Sequence, residues 1–468
     1  MMAELASHCA GMAAGHGGLS GVQLLEDGPD SLALRIHLVR AACQTLDLQY
    51  YIWRDDAAGL LLIDELAAAA ARGVRIRLLL DDIGTVGLDA DLAALALHPG
   101  IEVRLFNPQR LRRFRWLNWL AEFPRLNRRM HNKLFLADGS AAILGGRNIG
   151  DEYFHPAHRA LQADLDVLAI GPVTADIAAD FQRYWTSAAA VPLADVVRRV
   201  HVLPPMPGGA LRASYEAALA STDIAGFFDC DDDFQWARVR LFSDDPAKAL
   251  GDLPEPQLMA TRLLETIGLP RKSLLLVSAY FVPLARGVAT LSRLARAEIE
   301  VDIITNSLKT NNVIPVHAGY APSRAALLQA GVRLWEMRHP GKRQPRSRPR
   351  RRWWQGGRLL QSSASELHVK ALVADREQLF IGSLNFDPRS WWLNTEVGLL
   401  ITHPDLAARV HRSLTTQIAA TGWRVSLDRG RLRWESAGGE VHHVEPEAGL
   451  WRRLAAALLA PLPFKGLL

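Results

Sequence analysis

Two rhythms of apolar and polar positions alternate along the chain, and the changes between them mark out its elements. Residues 46–53 are apolar, aromatic and short, which predicts a buried strand, whereas 59–72 repeat on a helical period and stop at Gly73. Ahead of them, Gly28-Pro29 signals a turn, with Asp30 or Ser31 as cap of a helix over 32–44. Residues 74–80 read as a strand closed by Asp81-Asp82-Ile83-Gly84, 89–96 as a helix and 101–106 as the next strand. Strand and helix alternating in this way imply parallel pairing with helices on the sheet. A strand at 163–170 carries Asp164 and Asp166, and a helix follows at 172–187. The second half repeats the plan: strands at 239–242, 274–281, 301–305 and 393–401, helices at 257–267, 287–296 and 322–330. In this alignment Tyr280-Phe281 takes the place of Tyr50-Tyr51, and Glu396 that of Asp166. Self-similarity at so long an interval means duplicated domains rather than a solenoid. A hairpin around Arg429-Gly430 and a short apolar helix within 451–468 end the chain.

These elements divide the sequence into a weakly ordered Gly/Ala-rich start (1–20), a first lobe (21–200), a Pro/Gly-rich linker (201–210) and a second lobe with a C-terminal extension (211–468). Two stretches break the rhythm. Residues 110–129 interleave seven arginines with Phe114, Trp116, Leu117, Trp119, Leu120 and Phe123. That composition suits a membrane interface, a core-packed helix with a solvated arginine face, or a nucleic-acid surface. Residues 339–358 are rich in Arg, Pro and Gly and read either as a solvated loop or as a basic flap carrying Trp353 and Trp354.

Length and composition bound the class. At 468 residues, 49% hydrophobic and 22% charged, the chain is globular and long enough for two cores. A net charge of +5 suits an anionic partner without choosing between lipid and nucleic acid. Cys9, Cys43 and Cys230 form no metal or disulfide pattern, so neither metal nor cofactor is expected and a reducing, cytoplasmic setting fits. The N-terminus does not resemble a signal peptide, and no uninterrupted apolar run reaches about 18 residues, so no membrane span is expected. A lipid substrate would have to be met from outside the bilayer.

Candidate chemistry lies in a repeated pattern. Residues 130–154 contain His131, Lys133 and Asp138, then Gly145, Gly146 and Asn148; residues 366–390 contain His368, Lys370, Asp375, Gly382, Ser383 and Asn385 at the same offsets. The chain has only seven lysines, and two stand two residues after a histidine; two independent matches are expected by chance in on the order of one chain in ten thousand. On a strand, residues two apart share a face, so each His–Lys pair points one way and Asn132 or Val369 the other. A neutral imidazole is a nucleophile, and a lysine beside it offers positive charge to a phosphate oxygen. Two copies brought together supply one histidine to attack phosphorus and one to protonate the leaving oxygen. Asp138 and Asp375 complete the two motifs; five residues after each lysine, they fall on the opposite strand face and are expected to order a turn or a neighbouring lysine. A carboxylate at Asp166 or Glu396 would accept a hydrogen bond from a catalytic histidine and fix its tautomer.

The paired motifs resemble those of the phospholipase D superfamily, over most of the chain from about residue 20 to about 422. The phrases LDLQYYIWRDD, RRMHNKLFLADG, GGRNIGDEYF and VHAGY are similar to bacterial cardiolipin synthases of the shorter kind, which lack an N-terminal anchor. The resemblance implies two similar α/β lobes, each a mixed sheet flanked by helices, sharing one active site at their interface. It also implies His131 as nucleophile and His368 as proton donor, with Lys133, Lys370, Asn148 and Asn385 holding the phosphate. His317 and Tyr320, in VHAGY, are candidates for the substrate cleft. The first motif departs from the usual pattern, with Gly146 where the second has Ser383. The reaction implied is transfer of a phosphatidyl group between phospholipids through a phosphohistidine. Phosphatidylglycerol is the candidate lipid and phosphatidylethanolamine a further one, met at the anionic surface of the inner membrane. If water is the acceptor, the enzyme is a phospholipase D; a nuclease of the same superfamily is the more distant alternative, because the Trp-flanked stretches favour lipid over nucleic acid.

Overall fold

The computed structural model describes residues 5–112, 114–154, 164–197, 210–221, 234–339 and 367–460. The first lobe contributes β1 (Ser20–Leu25), β2 (Thr45–Tyr50), β3 (Arg75–Asp81), β4 (Ile101–Phe106), β5 (Lys133–Ala137), β6 (Ala141–Gly145), β7 (Asp166–Ile170) and β8 (Ala190–Pro192). They lie in the order β8-β4-β3-β2-β5-β6-β7-β1, with β2, β3 and β4 parallel and the other pairs antiparallel. The second lobe contributes β9 (Gln235–Ser243), β10 (Ser273–Val277), β11 (Glu300–Asn306), β12 (Arg333–Met337), β13 (Ala371–Ala374), β14 (Gln378–Gly382), β15 (Val397–Thr402), β16 (Trp423–Asp428), β17 (Arg431–Ser436) and β18 (Val441–His442). Its order is β9-β15-β14-β13-β10-β11-β12-β16-β17-β18, with the parallel core at β10, β11 and β12. Strand β9 joins the sheets: Ala237 pairs with Ser20 of β1, and Ser243 pairs with Val397 of β15.

Strands β5, β6 and β7 are buried at every residue, because both of their faces are covered. One face of the first sheet, with Phe135 and Ile143, packs under helices Gly28–Ala41 and Ala57–Ala71. The other face, with Leu134 and Leu144, shares a core with Val373, Leu399 and Ile401 of the second lobe. Helices Val173–Trp185 and Pro404–Thr421 also pack into this shared core. The second lobe's remaining face, with Leu276 and Leu372, is covered by Met259–Ile267 and Leu284–Arg296. The molecule is thus α/β, two similar lobes joined through a common apolar layer. Among the described residues no helix is long and apolar enough to cross a membrane.

Several elements differ from the pattern read along the chain. Residues 5–13, expected to be weakly ordered, form a helix that buries Leu5 and Cys9 in the first core. Gly28-Pro29 is the first turn of a helix, not a turn before one: Asp27 caps it by accepting from Asp30 N, and Pro29 loses nothing at a position whose N–H has no helical partner. The proline-rich stretch 201–209 lies outside the described residues, but Tyr215 and Leu219 beyond it still pack into the first core. Of residues 339–358, only His339 is described. The arginine-rich stretch holds a helix, Arg115–Leu126, kinked at Glu122 two residues before Pro124.

Candidate active site

Lys133 opens β5 opposite Tyr50, and Lys370 directly precedes β13, so both stand at the ends of the sheets where the parallel strands finish. The backbone before Lys133 is held by both lobes. His131 N donates to Thr395 O (2.9 Å), Thr395 N donates to Arg129 O (2.9 Å), and Thr395 Oγ1 donates to Asn132 Oδ1 (2.9 Å). Asn132 faces away from the His–Lys side, as strand alternation requires. Below this seam, the buried Asp81 carboxylate takes the Arg129 guanidinium and Met130 N (2.9 Å).

The two histidines exchange partners between lobes. His131 Nδ1 lies 2.9 Å from Glu396 Oε2 of the second lobe, and His368 Nδ1 contacts Asp164 Oδ2 of the first. A carboxylate acceptor puts the ring proton on Nδ1 and leaves the Nε2 lone pair for chemistry. Each lysine bends back to the carbonyl of its own histidine, and Lys370 Nζ stands 2.9 Å from His368 Nδ1. Tyr51 stands edge-on to His131 (5.0 Å) and Tyr153 edge-on to His368 (5.5 Å).

Burial and crowded positive charge set the protonation states. Burial, then Lys133 and Lys370, hold His131 well below the ordinary imidazole range. His368 is lowered by burial and Lys370, with Asp164 opposing the shift. Burial also depresses Lys133 strongly and Lys370 as well, against the pull of the two carboxylates. The carboxylates diverge. Burial raises Asp164, but Lys370 and His368 more than offset this and hold it below its usual value. Burial pushes Glu396 up to about 7, against Lys133 and the Ser383 and Ser390 hydroxyls.

The strand register explains one displaced expectation. Gly145 pairs with Asp166, and its counterpart Gly382 pairs with Gly398. Asp164, two residues earlier, is therefore the equivalent of Glu396. A slip of two residues keeps the face and is invisible to alternation. Asp166 instead anchors the first lobe, taking Arg35 (2.8 Å), Arg147 (3.3 Å) and the Ser31 hydroxyl (3.0 Å). The same register sets Tyr50 opposite Lys133 and Val277 opposite Ala371, so Ser278, not Tyr280, corresponds to Tyr50.

The remaining candidates divide into those at the site and those away from it. Ser383 Oγ donates to Glu396 Oε2 and accepts from Val397 N (3.0 Å). At Gly146 a Cβ would fall inside the Asp164 carboxylate. Asn148, expected on the phosphate, turns both ends of its amide to protein: Oδ1 accepts from Ile52 N (3.0 Å) and Nδ2 donates to Tyr153 Oη (2.9 Å). In Asn385, by contrast, Oδ1 is buried without a partner among the described residues. Asp138 and Asp375, grouped by sequence with the catalytic residues, stand apart from them. Asp138 accepts from the backbone of Cys43, Gln44 and Thr45 (2.8–2.9 Å), and Asp375 from Arg271, Lys272 and Ser273 (2.6–3.1 Å). Five residues at about 3.4 Å each set them about 17 Å from their lysines, at the far ends of the strands. His317 and Tyr320 are buried, and the Tyr320 ring lies edge-on to Phe281 (5.6 Å), which stacks on Phe386 beside Asn385. His317 Nε2 lies 3.1 Å from Glu445 and 2.8 Å from Arg324, and its ring meets Tyr320 edge-on (5.8 Å). Sequence reasoning missed Asp164, Ser390, Tyr51 and Tyr153 as site residues. The two tyrosines lie inside the phrases that carry the resemblance, while Ser390 donates to Glu396 Oε1 (2.7 Å) from the helix after Asn385. No group of three or more His, Cys, Asp or Glu stands together as metal ligands among the described residues.

Two lobes sharing a paired His–Lys site define a phospholipase D-like protein, and comparison with known proteins agrees. The family model described as cardiolipin synthase, phospholipase D-like domain, matches residues 36–185 and 263–417. The chain belongs to this family of phospholipase D-superfamily enzymes. It is 41% identical to cardiolipin synthase C of Escherichia coli K12 over the whole of both chains. It is 27% identical to cardiolipin synthase A of Pseudomonas fluorescens, over 85% of this chain and 68% of that one. A crystal structure of phosphatidylserine synthase from Haemophilus influenzae shares the fold, with a TM-score of 0.56 at 14% identity and 96% of each chain covered.

Proposed function

We propose that the protein is a cardiolipin synthase-type phosphatidyltransferase that acts as a peripheral protein at the cytoplasmic face of the inner membrane. The observation that carries the chemistry is the exchanged pair of histidines, each with its Nδ1 against a carboxylate of the opposite lobe. His131, in the first of the two motifs, is taken as the nucleophile by its resemblance to the superfamily, and burial keeps its ring neutral. Its Nε2 forms a bond to phosphorus as the bond from phosphorus to the head-group oxygen breaks, and His368 delivers a proton to that oxygen. The phosphatidyl group then rests on His131. Deprotonated His368 takes the proton of the incoming alcohol, whose oxygen attacks phosphorus and frees His131. Lys133, Lys370 and Asn385 hold the phosphate oxygens; an anion there restores the charge that burial takes from the lysines.

With phosphatidylglycerol as donor and acceptor the product is cardiolipin, and the identity shared with cardiolipin synthase C over the full length favours this acceptor over water. Purified protein incubated with labelled phosphatidylglycerol, with and without phosphatidylethanolamine, tests the reading. Cardiolipin that disappears in His131→Ala is the expected result. Phosphatidic acid alone would make the enzyme a hydrolase, and no lipid turnover in either mixture would refute the lipid reading.

A further inference from the structure

Helix Arg115–Leu126 is amphipathic the wrong way round. Its inward face carries Arg115 and Asn118, both buried, and its outward face carries Trp116, Leu120 and Phe123, which are 55%, 78% and 45% exposed. Positions i and i+4 share one face of a helix, so Trp116 and Leu120 form a stripe, with exposed Phe123 past the kink at Glu122 and exposed Phe114 and Leu111 before the helix. The orientation is pinned from inside. Asn118 accepts from Leu111 N (2.9 Å) and donates to Leu111 O (3.0 Å), while Arg112 pairs with Asp82 and Asp89, and Arg115 lies 3.4 Å from Asp89. Turning the stripe inward would tear out these buried polar contacts.

The stripe borders the active site. Two residues past the helix, Arg128 donates to the carbonyls of Lys248 (3.0 Å), Gly251 (3.1 Å) and Trp392 (3.3 Å). Arg128 thereby ties the end of the segment to a part of the second lobe that exposes Leu250 and Trp392. A second exposed apolar face, on helix Leu450–Leu459, is tied through Arg452 to the loop after β11, at the same end of its sheet as Lys370.

We infer that the outward face of Arg115–Leu126 is the surface that docks the protein on an anionic phospholipid bilayer, with the mouth of the cleft held against the lipid head groups. The inference rests on the phosphatidyltransferase reading for its occupant, because a bilayer is where that substrate resides. Large apolar rings beside arginine fit the acyl boundary and the lipid phosphates above it. Arg110, 78% exposed at the start of the segment and 3.7 Å from Glu122, faces solvent there in a chain of net charge +5. A second copy of the chain seated on this face would bring a second Arg110 to it rather than an anion.

The test compares the wild type with Trp116→Glu/Leu120→Glu, altered at exposed positions only, with circular dichroism as the check on folding. Cosedimentation with vesicles of phosphatidylglycerol and phosphatidylethanolamine is expected to weaken at least about tenfold, and turnover of vesicle lipid with it. Turnover of monomeric short-chain phosphatidylglycerol is expected to stay within about twofold, because the chemistry does not involve the stripe. Quenching of tryptophan fluorescence by brominated lipid, reduced in Trp116→Phe, provides a reading that does not depend on the double variant. Unchanged vesicle binding by the double variant would overturn the docking surface. So would a fall in solution mass, or a loss of single-stranded DNA binding, with vesicle binding intact; the face would then serve self-association or nucleic acid. A wild type that binds vesicles through this face but turns over neither lipid would leave docking in place and refute the transferase reading instead.

Discussion

The two half-sites descend from one pattern, yet they are not built alike. The half around His131 is closed by Glu396, which receives Ser383 and Ser390 and is pushed up to about 7 by burial. The half around His368 is closed by Asp164, held ionised by Lys370 and His368, with Gly146 where the other half has serine. Acid length and small residue vary together. The shorter Asp164 keeps its carboxylate against its own sheet, in the space a side chain at Gly146 would fill, whereas the longer Glu396 reaches further and leaves room for a hydroxyl. The asparagines differ as well: Asn148 is spent on Ile52 and Tyr153, while Asn385 keeps a free buried oxygen. Duplication provides two histidines, and their environments then differ. A neutral ring beside a carboxylate that titrates near 7 suits attack, and a ring against a fixed anion suits carrying a proton.

The largest effects should separate the two rings. His131→Ala is expected to lower lipid turnover by on the order of 10⁵-fold or more. His368→Ala should cost about 10²–10⁴-fold, most of it recovered with a p-nitrophenyl phosphodiester whose leaving group needs no proton. Recovery in the His131 variant instead would reverse the roles. Next come the carboxylates: Asp164→Asn should lose about 10²–10⁴-fold, and Glu396→Gln less, because a carboxyl pushed up to about 7 is largely protonated at an acid optimum. Their pH profiles should differ. Burial lowers both rings from the ordinary imidazole range, so the alkaline limb of kcat/KM, set by loss of the His368 proton, should fall on the acid side of 6.5. Removing the Asp164 charge destabilises the His368 cation, so the alkaline limb should move to lower pH in Asp164→Asn and stay in place in Glu396→Gln. A wild-type optimum above pH 7 would contradict this assignment.

Exchanging the small residues sharpens the same contrast. Gly146→Ser should displace Asp164 and cost on the order of 10²-fold in kcat, whereas Ser383→Gly removes one hydrogen bond to Glu396 and should cost about tenfold. The smallest effect is expected at the far ends of the strands. Asp138→Ala or Asp375→Ala should lose about 1–2 kcal/mol in urea unfolding while kcat stays within about twofold. A folded variant with turnover abolished would return that aspartate to the chemistry.

Much of this was legible along the chain. The two His–Lys pairs, the duplicated α/β plan and the parallel core follow from local periodicity and exact repetition, which need no knowledge of what packs on what. Asp164 was hidden because the segment from Gly146 to Asp164 is longer than that from Ser383 to Glu396, and a slip of two residues along a strand preserves every face. His317 and Tyr320 were singled out by their phrase, and packing sets His317 on Arg324 and Glu445 and Tyr320 on Arg324 and Phe281. The segment 110–129 held its aromatic and basic residues in plain view, but not the direction in which they face. That direction was decided by Asp82, Asp89 and Leu111, whose polar groups draw Arg112, Arg115 and Asn118 inward. Sequence by itself singled out the groups proposed to carry the chemistry, because reactivity belongs to residue type and spacing. Tertiary structure alone decided which histidine meets which carboxylate, because those partners lie more than two hundred residues apart and their charge states arise from the burial that brings them together.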